Sequence, residues 1–243
     1  TRSDKIATYI PDRYEEGYGI SYKGIDFASD NDFSLIIALD CGIKAVDKVA
    51  YAKEKGIDFI ICDHHRPGDE LPDAQAILNP KQRDCTYPYK ELCGCGIGFK
   101  LIQALGEELG LEAFELIPYL DLVATAIGAD IVPLDGENRT LASLGLEQLN
   151  NNPRPGFKAI IDQVGIEQLS LTNVIFIIAP RINAAGRMNH GSQAVELLVE
   201  KDASKARKIS SEIEQNNTER RSVEARITEE ALDQIKNHQE ENA

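Results

Sequence analysis

No stretch of this sequence is apolar for long enough to cross a bilayer. The longest such run, "VIFIIAP" at residues 174–180, falls far short of the roughly 20 residues a membrane helix needs. The opening "TRSDKIATYIPDR" has no signal-peptide core and no initiator Met, so the chain is expected to be a piece of a longer protein. Cysteine is scarce and odd in number, with five in 243 residues, which speaks against a disulfide framework and for a reducing cytoplasm. Basic residues are outnumbered, 26 Lys and Arg against 40 Asp and Glu, giving a formal net charge of −14. That balance excludes a protein that coats nucleic acid through bulk charge. Any nucleic-acid site must be a local basic track, or must use metal ions to offset phosphate charge. There is also no internal repeat, no Ser-His-Asp or Cys-His nucleophile, and no second cysteine pair at zinc-finger spacing after Cys93-Gly-Cys95.

What is present is an ordinary globular composition, 42% hydrophobic and 27% charged, long enough for one large domain. "SLIIALD" at 34–40 and "IDFIICD" at 57–63 are short apolar runs that end in acids, and "KAVDKVAYAKEKG" between them has helical spacing with Gly56 as its stop. Strand, helix and strand at this distance form a βαβ unit and predict a parallel sheet. "AQAILNP" supplies a third strand, and "GCGIGFKLIQALGEELG" a helix whose Gly94, Gly96 and Gly98 allow close packing. "EAFELIPYLDLVATAIGAD" reads as one helix with Pro118 in its first turns. "TNVIFIIAPRINAAG" is expected to be a helix capped by Thr172, although its β-branched residues favour a strand. From about Ala203 a run rich in interleaved charge, without Gly or Pro, predicts one long and mostly exposed helix. The fold class is therefore α/β, a parallel sheet with flanking helices, divided into a domain at 1–200 and a long connecting helix at 201–243.

Sites in open parallel sheets form outside the carboxyl ends of the strands. Asp40 and Asp63 end neighbouring strands of one βαβ unit, so both reach the same rim, and Gly42 permits a tight turn after Asp40. His64 and His65 follow at once. Adjacent carboxylates and imidazoles suit Mn²⁺ or a similar ion better than Ca²⁺ or a thiolate-bound metal. The bland reading, a turn-capping Asp beside surface histidines, is weaker for three adjacent ligands behind an apolar strand. Asp130 ends a nearly uncharged helical run and needs a partner, either a metal, a salt bridge or a capped helix end. "PRINAAGRMNH" sets Arg181, Asn183 and Arg187 among small residues that let backbone approach a ligand, while Arg forks suit phosphate oxygens. In "IPDRYEEGYGIS", Arg13 for phosphate and Tyr18 for stacking would suit a single-stranded end.

Taken in order, "IPDRYEEGYGIS", "LIIALDCGI", "IICDHHRPGDELPDAQAILNP", "GCGIGF", "GADIVPLDGENR" and "PRINAAGRM" resemble the DHH phosphoesterase superfamily, and within it the single-strand-specific exonucleases. The resemblance implies 5′→3′ degradation of single-stranded DNA in repair and recombination, with a two-metal Mn²⁺ (or Mg²⁺) site. By this resemblance Asp40, His64 and Asp130 are metal ligands, while Asp63 and His65 act with His64 in catalysis by orienting it and the scissile phosphate. Arg13 and Tyr18 match positions near the 5′ end, and Arg181 and Arg187, with Asn183 between them, match a phosphate-contacting segment. Single-stranded DNA is the implied substrate, and a helicase or single-strand-binding protein the implied partner, with no membrane involved. The family's Asp-x-Asp first motif is expected upstream of "YIPDR" and its glycine-rich lobe beyond the long helix, so this chain by itself is expected to be inactive. The competing readings are a phosphoesterase for short oligonucleotides or cyclic dinucleotides, and a non-catalytic replication scaffold.

Overall fold

The structure is a computed structural model that describes residues 5–188 and 191–241. Helix α1 (Tyr22–Asp30) begins where the Ser21 hydroxyl accepts from the Gly24 amide. Three strands follow, β1 (Leu35–Leu39), β2 (Asp58–Cys62) and β3 (Ala76–Leu78), with α2 (Val46–Glu54) between the first two. They form a parallel sheet in the order β1-β2-β3, Leu35 facing Asp58 and Leu39 facing Cys62. Helix α2 stops as its sequence predicts. Gly56 takes φ +72°, its amide donates to Lys53 and the Ile57 amide to Ala52, which satisfies carbonyls that the helix leaves open.

The pleat of β2 places its side chains in two different cores. Phe59 and Ile61 pack with Ile25, Val49 and Ala52 on the side of α1 and α2. Ile60 and Cys62 face Leu92, Ile97 and Val123 on the other side. Each fully buried side chain of the Phe59 kind contributes about 1.5–3 kcal/mol. The second core is closed by α3 (Gly94–Glu108), α4 (Leu120–Asp130) and α5 (Gly136–Asn151).

The predicted helix at 112–130 is two elements. A 3-10 turn (Ala113–Tyr119) carries Pro118, and the α-helix starts only after it, since a proline lacks the amide an α-helical interior needs. A third, all-helical core joins α6 (Pro155–Val164), α8 (Ala179–Met188), α9 (Ser192–Val199) and α10 (Ala203–Glu241). The apolar run at 171–188 is helical throughout, but Ser170 caps it rather than Thr172, accepting from the Asn173 amide at the start of the short α7 (Leu171–Asn173). Between α7 and α8 the chain widens into a π-turn (Val174–Ile178), which ends two residues before Pro180. Helix α10 is split in character. Ala206, Ile209, Ser210, Ile213 and Asn217 form a buried stripe, whereas residues 221–235 are exposed throughout. No helix among the described residues is long and apolar enough to cross a membrane.

Candidate metal centre

The ladder of the sheet runs one residue beyond its strands, and that extension holds the two acids. The Asp40 amide donates to Cys62 at 2.8 Å, and the Asp63 amide donates to Leu78 at 3.0 Å. Asp40 then turns into the left-handed region at φ +62°, a conformation that costs a residue with a Cβ about 1–2 kcal/mol. Its carboxylate lies against the N-terminus of α3. A Cβ at Gly94 would stand 2.2 Å from Asp40 Oδ1, so only glycine fits there. The Cys93 thiol caps the same helix end by accepting from the Gly96 amide at 3.3 Å.

Asp63 is almost wholly buried and serves the turn around it. Its Oδ2 accepts from the Ile43 amide at 2.9 Å, and its Oδ1 from the His65 amide at 3.1 Å. The His65 ring Nδ1 lies 2.7 Å from the same Oδ1. Burial pushes the Asp63 carboxyl up, but these donors outweigh it and hold the group below the usual carboxylate range. With Nδ1 engaged by Asp63, Nε2 is the His65 ring nitrogen left open to a ligand.

His64 lies between two carboxylates. Its Nε2 is 3.2 Å from Asp40 Oδ1 and 3.3 Å from Asp130 Oδ2. The hydrogen bond to Asp40 raises the imidazole above its ordinary pKa, against its burial. Its Nδ1 is buried without a hydrogen-bond partner among the described residues. One ligand atom each from Asp40, His64 and His65 lie within 4.8 Å of one another. Asp130 reaches the centre from the C-terminus of α4, where Ile131 is left-handed at φ +56° and 85% exposed. Two acids converging on imidazole nitrogens form an oxygen-and-nitrogen donor set of net negative charge, which fits a divalent ion of the Mn²⁺ kind. The thiols are not part of it. All five cysteines are free, and burial pushes the Cys93 thiol up to about 11.

Asn79 supports this centre and escaped the reading of the sequence. Buried at the end of β3, it donates to the His65 carbonyl at 2.9 Å and accepts from the Lys81 amide at 2.8 Å. An Asn-Pro pair directly after a strand was the only signal of it.

From Asp40 a cleft of about 940 Å³ follows the open edge of β1 to Arg13, Tyr14 and Tyr18, with Gly191 and Val195 on its border. The Arg13 guanidinium lies 4.6 Å from the centroid of the Tyr18 ring, and that ring is 79% exposed. The other arginine segment is placed differently. Arg181 Nη1 donates to the Ile177 carbonyl at 2.8 Å, Nη2 donates to Glu214 at 3.0 Å, and Nε lies 2.5 Å from the same carboxylate. Its fork ties α8 to α10 and is not offered to the cleft, because the close packing of these helices turns the side chain inward. Asn183 is exposed, and the side chain of Arg187 lies outside the described residues.

Comparison with known proteins bears on the same segments. The family described as "DHH family, N-terminal domain" matches residues 2–127. A single-stranded-DNA-specific exonuclease RecJ from Bacillus subtilis is 45% identical over 235 residues, covering 96% of this chain and 29% of that protein. The protein of the same description from Salmonella typhimurium is 40% identical, with 94% of this chain and 42% of that protein covered. The chain thus spans less than half the length of these relatives. A solved structure described as exonuclease RecJ bound to manganese superimposes with a TM-score of 0.85 at 33% identity, covering 93% of this chain and 57% of that one.

Proposed function

The chain belongs to the DHH family, and on that footing we propose that it carries the metal-binding part of a 5′→3′ exonuclease acting on single-stranded DNA. The observation that carries the proposal is His64 Nε2 set between Asp40 and Asp130, at a strand end that opens into the cleft of Arg13 and Tyr18. Its relatives named above are described as single-stranded-DNA-specific exonucleases, which supports the choice of substrate.

Asp40, His64 and Asp130 would hold Mn²⁺ or Mg²⁺. A divalent ion there supplies Lewis-acid stabilisation of the charge that develops on a phosphodiester. Asp63 keeps the His65 ring oriented with Nε2 free, and His65 is placed to hold or steer the scissile phosphate. Arg13 offers its fork to a terminal phosphate, and the exposed Tyr18 ring offers a face to the first base. A two-metal site needs more carboxylates than the described residues bring together, so the 243-residue chain alone is expected to release little nucleotide. An enzyme confined to single strands needs a helicase to supply them and must work beside single-strand-binding protein, which makes these the proposed partners. Five free thiols suit the cytoplasm.

The test is nucleotide release from 5′-phosphorylated single-stranded DNA by the full-length protein with Mn²⁺. Wild type should degrade the strand from its 5′ end, and Asp40→Asn and His64→Ala should lose activity while remaining folded. Hydrolysis of dinucleotides or cyclic dinucleotides in preference to long strands would overturn the substrate, and full activity in both variants would overturn the site.

A further inference from the structure

We infer that Glu16 is a positioning residue for the Arg13–Tyr18 pair, and that its carboxylate sets where the end of a strand is received. The inference rests on the proposed function and deepens it. Glu16 does not line the cleft. A carboxylate close behind a phosphate receiver repels the very ligand it serves, so its presence there calls for a compensating role.

The geometry supplies that role. Residues 12–18 form a turn outside any helix or strand, with Gly17 at φ +80°. Glu16 Oε1 accepts from the Asp12 amide at 2.9 Å, while the Glu16 amide donates to the Asp12 carbonyl at 2.8 Å, closing the turn at its base. Its other oxygen, Oε2, accepts from the Tyr9 hydroxyl at 2.8 Å and from the Ser21 hydroxyl at 2.6 Å. Both donors are themselves anchored. Ser21 caps α1, and the Tyr9 ring packs 5.4 Å from Phe27 and directly over Gly24, where a Cβ would meet the ring at 3.0 Å. One carboxylate therefore ties the segment before the turn, the turn itself and the start of α1 together, and Arg13 and Tyr18 project from what it holds.

A group acting only through its neighbours is exposed by a double-mutant cycle. The full-length protein is compared as wild type, Glu16→Ala, Glu16→Gln, Tyr9→Phe, Arg13→Ala and the Arg13→Ala/Glu16→Ala double variant, on a 5′-phosphorylated single-stranded oligonucleotide with Mn²⁺. Glu16→Ala should raise KM about tenfold, within the range of energies that coupled neighbours show, and leave kcat and Mn²⁺ affinity unchanged. Glu16→Gln keeps an acceptor for the Asp12 amide and should recover most of the loss. Tyr9→Phe removes one bond of the set without disturbing the ring packing and should raise KM about threefold, roughly one ordinary hydrogen bond. In the Arg13→Ala background, Glu16→Ala should cost clearly less than its tenfold in wild type, since only Tyr18 is left for it to position. Multiplying effects in the double variant, or an unchanged KM in Glu16→Ala where Arg13→Ala is impaired, overturns the positioning role alone. A wild-type protein that does not bind the oligonucleotide overturns the proposed function and the inference with it.

Discussion

Asp40 leaves β1 while still hydrogen-bonded to Cys62, whereas Arg13 and Tyr18 stand on a turn that no sheet reaches. The two ends of one cleft are thus held by different means. At the metal end the strands fix the backbone, Gly94 lets a helix close over Asp40, and Asp63 and Asn79 lock the two-histidine turn from beneath. At the proposed strand-receiving end two carboxylates fix the turn, Asp12 by accepting from the Tyr14 and Glu15 amides and Glu16 by accepting from the Asp12 amide and the Tyr9 and Ser21 hydroxyls. The difference suits the proposed tasks, since ligands of an ion tolerate displacements of tenths of an ångström, while a stacked base and an exposed phosphate tolerate more.

The sharpest contrast is between two glycines. Gly94→Ala forces a Cβ into the Asp40 carboxylate. It should cost about 1–3 kcal/mol of stability from overpacking and roughly 100-fold in kcat/KM from the misplaced ligand. Gly17→Ala, in the turn, meets nothing within 4 Å. Its strain at positive φ should cost about 1 kcal/mol, with kcat unchanged. Thermal melts and steady-state kinetics on both variants decide the matter, and equal losses of kcat would remove the contrast.

Asp63→Asn tests the buried support of the same end. An amide cannot accept on both sides, so one N–H is turned toward a backbone donor at a cost of about 1–3 kcal/mol. Melting temperature and Mn²⁺ affinity should fall together. A fall in stability with Mn²⁺ affinity intact would confine Asp63 to folding.

Arg181 separates what the sequence suggested from what the packing built. An arginine among small residues looks the same in sequence whether it faces a phosphate or a carboxylate 33 residues away on another helix. Arg181→Ala should leave Glu214 partly buried and uncompensated, costing about 2 kcal/mol, below the full value for a buried pair because both side chains retain some exposure. The salt dependence of single-strand binding should not change. Arg13→Gln should do the reverse, leaving stability unaltered and flattening that dependence by about one unit of slope. The smallest effect is expected at Ile131, whose left-handed conformation is strained, so that Ile131→Gly should raise stability by about 1 kcal/mol.

The strands, the βαβ unit, the parallel sheet and the acids at the strand ends were legible because apolar runs with turn signals between them carry their own geometry. The approach of Asp130 to His64 was legible only through the family resemblance, since nothing local announces a contact 66 positions apart. The left-handed turn at Asp40 was hidden because an Asp adopts positive φ only occasionally, and nothing in the sequence marks which Asp will do so. Glu16 and Asn79 were missed for a similar reason. Each looks like an ordinary polar loop residue until folding brings its partners to it. The late start of α4 was misjudged because Pro118 was weighed as a helix-start residue, when the 3-10 turn around it is a separate element.

The central claim is that Asp40, His64 and Asp130 together hold a divalent ion at the head of the cleft. A crystal of the protein grown with Mn²⁺, with anomalous differences collected above the manganese edge, tests it most directly. A peak in coordination contact with Asp40, His64 Nε2 and Asp130, lost in Asp40→Asn, is the predicted result. A well-ordered protein with no peak there, or with manganese bound only at another group of side chains, would contradict the account.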